Sequence, residues 1–497
     1  MSPARLTIDP AFTVGEVDPR LFGNFVEHLG RCVYTGIYEP DHPTADEHGF
    51  RGDVADLLRE LGVTLVRYPG GNFVSGYRWE DGVGPQDQRP ARLDGAWRTT
   101  EPNTVGTDEF CAWAKRLDVE PLMAVNLGTR GVEAAAALVE YCNHPGGSAW
   151  SDLRRANGHE DPHGVKYWCL GNEMDGPWQI GHKTADEYGK LAAEAGKAMR
   201  LIDPDIELVA CGSSGRGMPT FGDWERTVLD HTFDVVDYIA LHAYTTPGDD
   251  GDVASFLASG VEFDDFIDGV VATADAVAAK RHSSKRINLS FDEWNVWHRY
   301  TGDENGNWGL APRLLEVVYD LQDAVVVGGM LISLLKHADR VKIGCLAQLV
   351  NVIAPVMTEP GGGAWRQPTF FPIALTSRFG RGTVLQTPVV SDTMPTEKYG
   401  DVGAVDGVAV RGEDGSVTVF AVNRDQHNAH RLTADLSAFP GLTRATVTIM
   451  SGEDLTLTNS LDAPDRVAPR ELPATPLGEG LSLELPAVSW AMVRITA

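Results

Sequence analysis

A chain of 497 residues, 43% of them hydrophobic, holds enough apolar material for a large core and more than one domain. Its 70 acidic side chains outnumber 42 Lys and Arg and leave a formal net charge of −28, which repels polyanions, excludes nucleic acid and anionic membranes as partners, and suits a neutral ligand such as a sugar. The opening residues lack the apolar stretch of a secretory signal, no run reaches membrane-span length, and six singly scattered cysteines without a CxxC pair read as reduced, buried thiols of a cytoplasmic protein.

The first β-like runs, 5–8 and 12–14, stand ahead of the main pattern and are free to join a later sheet. From about residue 21 to 349, short apolar runs, loops of Gly, Asn or Asp, and amphipathic stretches alternate, as in a parallel sheet wrapped by helices. Strands are predicted over 21–27, 64–68, 121–126, 166–171, 207–211, 238–242 and 287–291, with a last one inside 330–348. Helices are predicted over 52–61, 107–117, 132–141, 184–201, 263–280 and 312–327, two of them opened by helix-start signatures, Thr107-Asp108-Glu109-Phe110 and Thr184-Ala185-Asp186-Glu187. Eight strands are the number that closes an α/β (β/α)8 barrel, the TIM barrel. The insertion 81–103, which carries Trp97, follows the second strand on the loop face and is placed to shape a cleft. Past residue 379 helical periodicity fades, and the runs 407–411, 417–423, 445–450 and 490–495 predict an antiparallel β-sandwich. The expected division is a catalytic barrel over 18–378 and a sandwich built from 1–17 plus 379–497.

In such a barrel, chemistry collects where strands end. Two predicted strands, the fourth and the seventh, run out into acidic peptides: Lys166-Tyr167-Trp168-Cys169-Leu170-Gly171-Asn172-Glu173 and Ile287-Asn288-Leu289-Ser290-Phe291-Asp292-Glu293-Trp294-Asn295. Two carboxylates facing one another across a barrel mouth are the equipment for cleaving a glycosidic bond. Singly, each is equally an ordinary loop glutamate or a salt-bridged rim residue; the pairing is what favours chemistry. Asn172 alone reads as a turn former, Tyr244 as a half-buried packing aromatic, and His242 as a satisfied structural histidine rather than a proton relay.

The segments Phe22-Gly23-Asn24-Phe25-Val26-Glu27-His28, Arg67-Tyr68-Pro69-Gly70-Gly71-Asn72-Phe73, Gly171-Asn172-Glu173-Met174-Asp175-Gly176-Pro177-Trp178, Phe291-Asp292-Glu293-Trp294-Asn295-Val296-Trp297 and Leu346-Ala347-Gln348-Leu349-Val350-Asn351 resemble, in order, those of glycoside hydrolase family 51, the α-L-arabinofuranosidases. The resemblance implies a retaining exo-enzyme acting on terminal arabinofuranosyl groups of oligosaccharides, with Glu173 as general acid/base and Glu293 as nucleophile. It also implies sugar ligands at Glu27, Asn72, Asn172, Tyr244 and Gln348, no cofactor, and a homo-oligomer, a hexamer; Trp297 is expected as an aromatic wall because sugar C–H faces stack on indole. Trp178 and Trp308 are further candidate walls. One departure is His298, where an aromatic is the commoner residue.

Other chemistries find little in the sequence. No HExxH or Cys/His ligand spacing implies a metal, and Asp249-Asp250-Gly251-Asp252 lacks EF-hand spacing. Gly212-Ser213-Ser214-Gly215 is not a nucleophile elbow, and Gly361-Gly362-Gly363 fits no phosphate loop. A β-glycosidase or endo-glucanase on the same barrel remains the rival enzyme class, and a non-catalytic sugar-binding protein the rival of another kind.

Overall fold

The computed structural model describes residues 2–247, 251–298, 306–477 and 480–497; Asp249 and Asp250 of the acidic loop lie outside them. Eight parallel strands close a barrel: β1 (Gly23–Phe25), β2 (Leu65–Tyr68), β3 (Glu120–Ala124), β4 (Tyr167–Leu170), β5 (Glu207–Ala210), β6 (Tyr238–Thr245), β7 (Asn288–Val296) and β8 (Val341–Leu346). Nearly every residue of β1, β2, β4 and β7 is buried, because a parallel sheet covered on both faces needs apolar residues at consecutive rather than alternate positions.

A helix follows each strand: α1 (Gly52–Leu61), α2 (Thr107–Leu117), α3 (Val132–Asn143), α4 (Ala185–Ile202), α5 (Asp223–Thr232), α6 (Gly260–Lys280), α7 (Leu321–Lys336) and α8 (Phe370–Phe379). The start of α4 is set by reciprocal caps. The Thr184 hydroxyl accepts from the Glu187 amide at 3.3 Å, and Glu187 accepts from the Thr184 amide at 3.0 Å.

The helix predicted over 312–327 is displaced. Residues 312–320 run without helix, with Leu315 at φ 52°, and α7 begins only where Asp320 accepts from the Asp323 amide at 3.0 Å. The apolar pattern of 314–318 serves tertiary contacts instead: Glu316 reaches across to Arg31 at 2.6 Å, and tertiary pairing outweighs weak local propensity.

The C-terminal region forms a seven-stranded sheet, joined at one edge by Thr13–Glu16, and a four-stranded sheet that contains Ser2–Leu6. The N-terminal segment therefore does join the sandwich. The pairing is antiparallel throughout except that Ser2–Leu6 runs parallel to His430–Ala434. The larger sheet packs on α7, where Gly328 lets Trp490 approach so closely that a Cβ would fall 2.1 Å from the indole Cδ1. Asp406 in that sheet is clamped by Lys336 at 2.6 Å and Arg424 at 2.7 Å. All six cysteines are free and buried, and among the described residues no helix is long and apolar enough to cross a membrane.

Candidate active site

The two acidic peptides arrive at the same mouth. After β4 the chain turns through Gly171 (φ 99°) and Glu173 (φ 43°). A left-handed glutamate is held against its steric preference, at a cost of roughly 1–2 kcal/mol, and strain of this kind clusters at functional sites. The carboxylate is fixed on both oxygens: the Trp178 indole donates to Oε2 at 2.7 Å, and His242 Nδ1 lies 2.9 Å from Oε1.

Glu293 comes from β7, whose register slips against β6 between Ser290 and Glu293 and against β8 between Phe291 and Trp294. Such a bulge re-aims side chains, and it lets the consecutive Asp292 and Glu293 both reach His242, at 3.4 Å and 3.5 Å. Pairing places His242 of β6 opposite Glu293. Two residues on, Tyr244 points to the same side and donates its hydroxyl to Glu293 Oε2 at 2.8 Å. The other oxygen, Oε1, accepts from Arg67 Nη1 at 2.6 Å. Carboxylate oxygens of Glu173 and Glu293 and a ring nitrogen of His242 lie within 4.8 Å of one another.

Arg67, on β2, is buried and shared. Its Nη2 donates to Asn172 Oδ1 at 2.7 Å and its Nε stands 3.3 Å from Asp292. Asn172 thus lies behind the cavity wall with its amide oxygen occupied, and its Nδ2 is 3.4 Å from Gln179 Oε1. Gly71 closes the floor, since a side chain there would meet Glu293 Oε1 at 2.9 Å.

Over this floor opens a cavity of about 310 Å³ lined by Glu27, Asn72, Glu173, Tyr244, Glu293 and Gln348, with Trp97, Trp178 and Trp297 as walls. Trp297 packs edge-on against Tyr244, ring centres 5.0 Å apart. Trp308 is not part of the lining; its backbone is tied to Arg98 and Thr100 of the insertion. Glu27 accepts from the Phe73 amide, the Trp97 indole and the Gln348 amide, each at 3.0 Å. His298 pairs with Asp323 at 2.8 Å, away from that lining.

Electrostatics divide the site. Burial pushes Glu27 up to about 7, only partly offset by the donors from Phe73 and Trp97. Burial also raises Glu293, and the neighbouring charge of Glu173 adds to this, while His242, Arg67 and the Tyr244 hydroxyl pull the other way. For His242 burial acts downward, yet Glu293, Asp292 and Glu173 outweigh it and hold the imidazole up to about 10. Asp292 stays low despite burial because Arg67 and His242 face it. Burial holds the Tyr244 phenol protonated, as a donor must be. Glu173, His242 and Glu293 are spaced as a metal could use them, but a protonated imidazole offers no lone pair, and the cation of the trio is His242 itself.

Of the residues expected to touch the sugar, all but Trp308 lie at this mouth, with Asn172 one layer behind. The residues not anticipated are the two cations. Arg67 was visible as a charge inside an apolar strand, which demands buried anions. His242 is satisfied, but by the two glutamates and Asp292 rather than by the scaffold alone.

The description "α-L-arabinofuranosidase 1 domain" matches residues 57–259, and "α-L-arabinofuranosidase C-terminal domain" matches 292–489. An intracellular exo-α-(1→5)-L-arabinofuranosidase of Streptomyces lividans is 58% identical over 99% of this chain and 75% of its own length. An exo-α-(1→6)-L-arabinofuranosidase of Bifidobacterium longum is 53% identical over 100% of this chain and 98% of its own. A solved family 51 α-L-arabinofuranosidase from Bifidobacterium longum superposes with a TM-score of 0.93 at 46% identity, covering 99% of both chains. With the fold, the paired glutamates and identity of this extent in agreement, the chain belongs to the family 51 α-L-arabinofuranosidases.

Proposed function

We propose that the Glu173–Glu293 pair performs the double displacement by which this glycoside hydrolase removes terminal, non-reducing α-L-arabinofuranosyl groups with retention. The observation that carries the assignment is the closeness of the two carboxylates, whose oxygens lie within 4.8 Å. Retaining pairs stand about 5–5.5 Å apart, and inverting pairs need roughly 6.5–9.5 Å to admit a water.

In the first step a Glu293 oxygen bonds to the anomeric carbon as the glycosidic C–O bond breaks, and the leaving oxygen takes the Glu173 proton. In the second, water attacks the anomeric carbon, Glu173 takes its proton, and the ester bond to Glu293 opens to return the carboxylate. Arg67 and Tyr244, one on each oxygen of Glu293, orient the nucleophile and leave it able to ionise despite burial. Glu27, Asn72, Gln348 and Tyr244, which line the cavity, are assigned to the sugar hydroxyls and Trp297 to a ring face, and Asn172, whose oxygen is taken by Arg67, is assigned to a hydroxyl through its Nδ2. A chamber of about 310 Å³ suits one terminal sugar better than an open endo-acting cleft.

Relatives carry names for 1→5 and for 1→6 linkages; we assign this chain to α-1,5 arabino-oligosaccharides, hydrolysed in the cytoplasm by a hexamer whose protomers each hold a catalytic barrel over 18–378. The test is hydrolysis of an aryl α-L-arabinofuranoside against the aryl β-xyloside and β-glucoside. Glu293→Ala abolishes turnover. Glu173→Ala with an activated phenol stalls at the covalent intermediate and is rescued by azide with retained configuration. Full activity in Glu293→Ala would end the assignment.

A further inference from the structure

In the outer, helical layer of the barrel, and sharing no residue with the catalytic cavity, three donors converge. Asp108 sits in the first turn of α2, while His159 and His163 sit on the loop between Ala149–Ala156 and β4. One ligand atom from each lies within 4.8 Å of the other two. His163 Nε2 is 2.7 Å from Asp108 Oδ1, and His159 Nε2 is 3.9 Å from Oδ2. We propose that Asp108, His159 and His163 form a binding site for a divalent transition-metal ion of the zinc class.

The donor chemistry selects the ion. Two imidazole nitrogens and one carboxylate suit zinc and its neighbours, whereas magnesium and calcium take oxygen shells. With metal–ligand bonds of about 2.0–2.2 Å, tetrahedral donors stand roughly 3.3 Å apart. The Asp108–His163 pair must open slightly from 2.7 Å and the Asp108–His159 pair close from 3.9 Å, adjustments smaller than an ångström. On binding, the hydrogen shared between His163 Nε2 and Asp108 moves to His163 Nδ1 or to water, freeing the lone pair for the metal.

The surroundings hold these donors in place. The Tyr141 hydroxyl donates to Asp108 Oδ2 at 2.7 Å and itself accepts from Asn157 at 2.9 Å, the kind of outer contact that orients a ligating carboxylate. The histidine loop is pinned by the buried Arg154, which donates to the carbonyls of His159 at 3.1 Å and Glu160 at 3.3 Å as well as to those of Tyr141 and His144 on the preceding segment. The His163 amide is fixed on the Cys142 carbonyl at 2.8 Å. A cavity of about 510 Å³ borders both histidines, and Glu160, Asp161, Asp118 and Glu120 along it outnumber Lys115. That leaves an open coordination position for water and a field that favours a cation. A bound ion would tie the start of α2 to the loop that feeds β4, and so to the strand that presents Glu173.

The experiment uses the full chain, freed of metal by a chelator and titrated with zinc chloride against a chromophoric competitor. Thermal melting is followed in parallel, and cobalt(II) serves as a spectroscopic probe. We expect one equivalent bound, a rise in melting temperature and a cobalt d–d band of tetrahedral intensity. In His159→Ala affinity falls more than about 100-fold, beyond the ten- to hundredfold effect of losing an outer partner, while hydrolysis is unchanged. His159 is partly exposed and its side chain donates no hydrogen bond that the fold depends on, so this variant folds; His163→Asn is the second. Zinc held by Glu173, His242 and Glu293 would persist in both variants and inhibit hydrolysis. Equal uptake by the parent and the two variants, or no uptake by the parent, overturns the assignment.

Discussion

Replacing His242 by asparagine removes the one cation that, among the described residues, touches both Glu173 and Glu293, the proposed catalytic pair. Its Nδ1 lies 2.9 Å from Glu173 and 3.5 Å from Glu293, and it is held protonated with a pKa near 10, the pull of its carboxylates outweighing burial. Two unit charges about 4 Å apart are worth about 4 kcal/mol at an effective dielectric near 20, and 1.36 kcal/mol corresponds to one pH unit. The bare Coulomb figure therefore sets a ceiling of about three pH units on Glu293. Arg67 remains in place at 2.6 Å, and the charge of His242 is spread over its ring, so an effect of roughly 1–2 pH units is expected. The sign is fixed. Glu293 loses a partner that favours its ionised form, its pKa rises, and the acid limb of kcat/KM moves to higher pH. The assay is the pH profile for an aryl α-L-arabinofuranoside between pH 4 and 9, with circular dichroism to verify the fold. An acid limb within about 0.3 pH unit of the parent's would show that His242 only packs, and would refute the electrostatic reasoning.

Tyr244→Phe removes one donor to Glu293 Oε2; a hydrogen bond to a charged group is worth about 1.5–3 kcal/mol, so kcat/KM for the same aryl arabinofuranoside should fall about ten- to hundredfold, and an unchanged value would deny the contact a role. Because His242 is raised from its ordinary 6.5 to about 10 on folding, its charge contributes fully below pH 6.5, and that contribution is lost as pH rises through 10. Melting temperature measured from pH 7 to 10 should therefore fall more steeply in the parent than in His242→Asn. Gly328→Ala would force a Cβ to within 2.1 Å of Trp490, overpacking the seam between α7 and the sandwich. Calorimetry should show a loss of about 1–3 kcal/mol, with turnover near that of the parent.

The signals that survived into the structure are those that act locally. Glu173 and Glu293 stand where apolar runs give way to Gly, Asn and Trp, and a strand end is a property of a few adjacent residues. The helix over 312–327 failed for the opposite reason. Its apolar spacing was real, but Leu315 and Glu316 are committed to partners such as Arg31, 285 residues away, and only the Asp320 cap marks where helix begins. Asn172 is expected to donate to a sugar hydroxyl, which leaves its oxygen for another partner, and nothing in its own segment reveals that the partner is Arg67 from another strand. The cations were hidden likewise: an arginine in an apolar strand announces that anions await it, and which anions depends on barrel closure. The two cations also account for how the site can work at all. Four buried carboxylates, Glu27, Glu173, Asp292 and Glu293, crowd one mouth, and burial acts against the charge of Glu27, Asp292 and Glu293. The two positive charges hold Asp292 low and oppose the rise of Glu293 that burial causes, while burial pushes Glu27 up to about 7. In the proposed mechanism the division of labour between Glu173 and Glu293 follows the contact that Arg67 makes with Glu293.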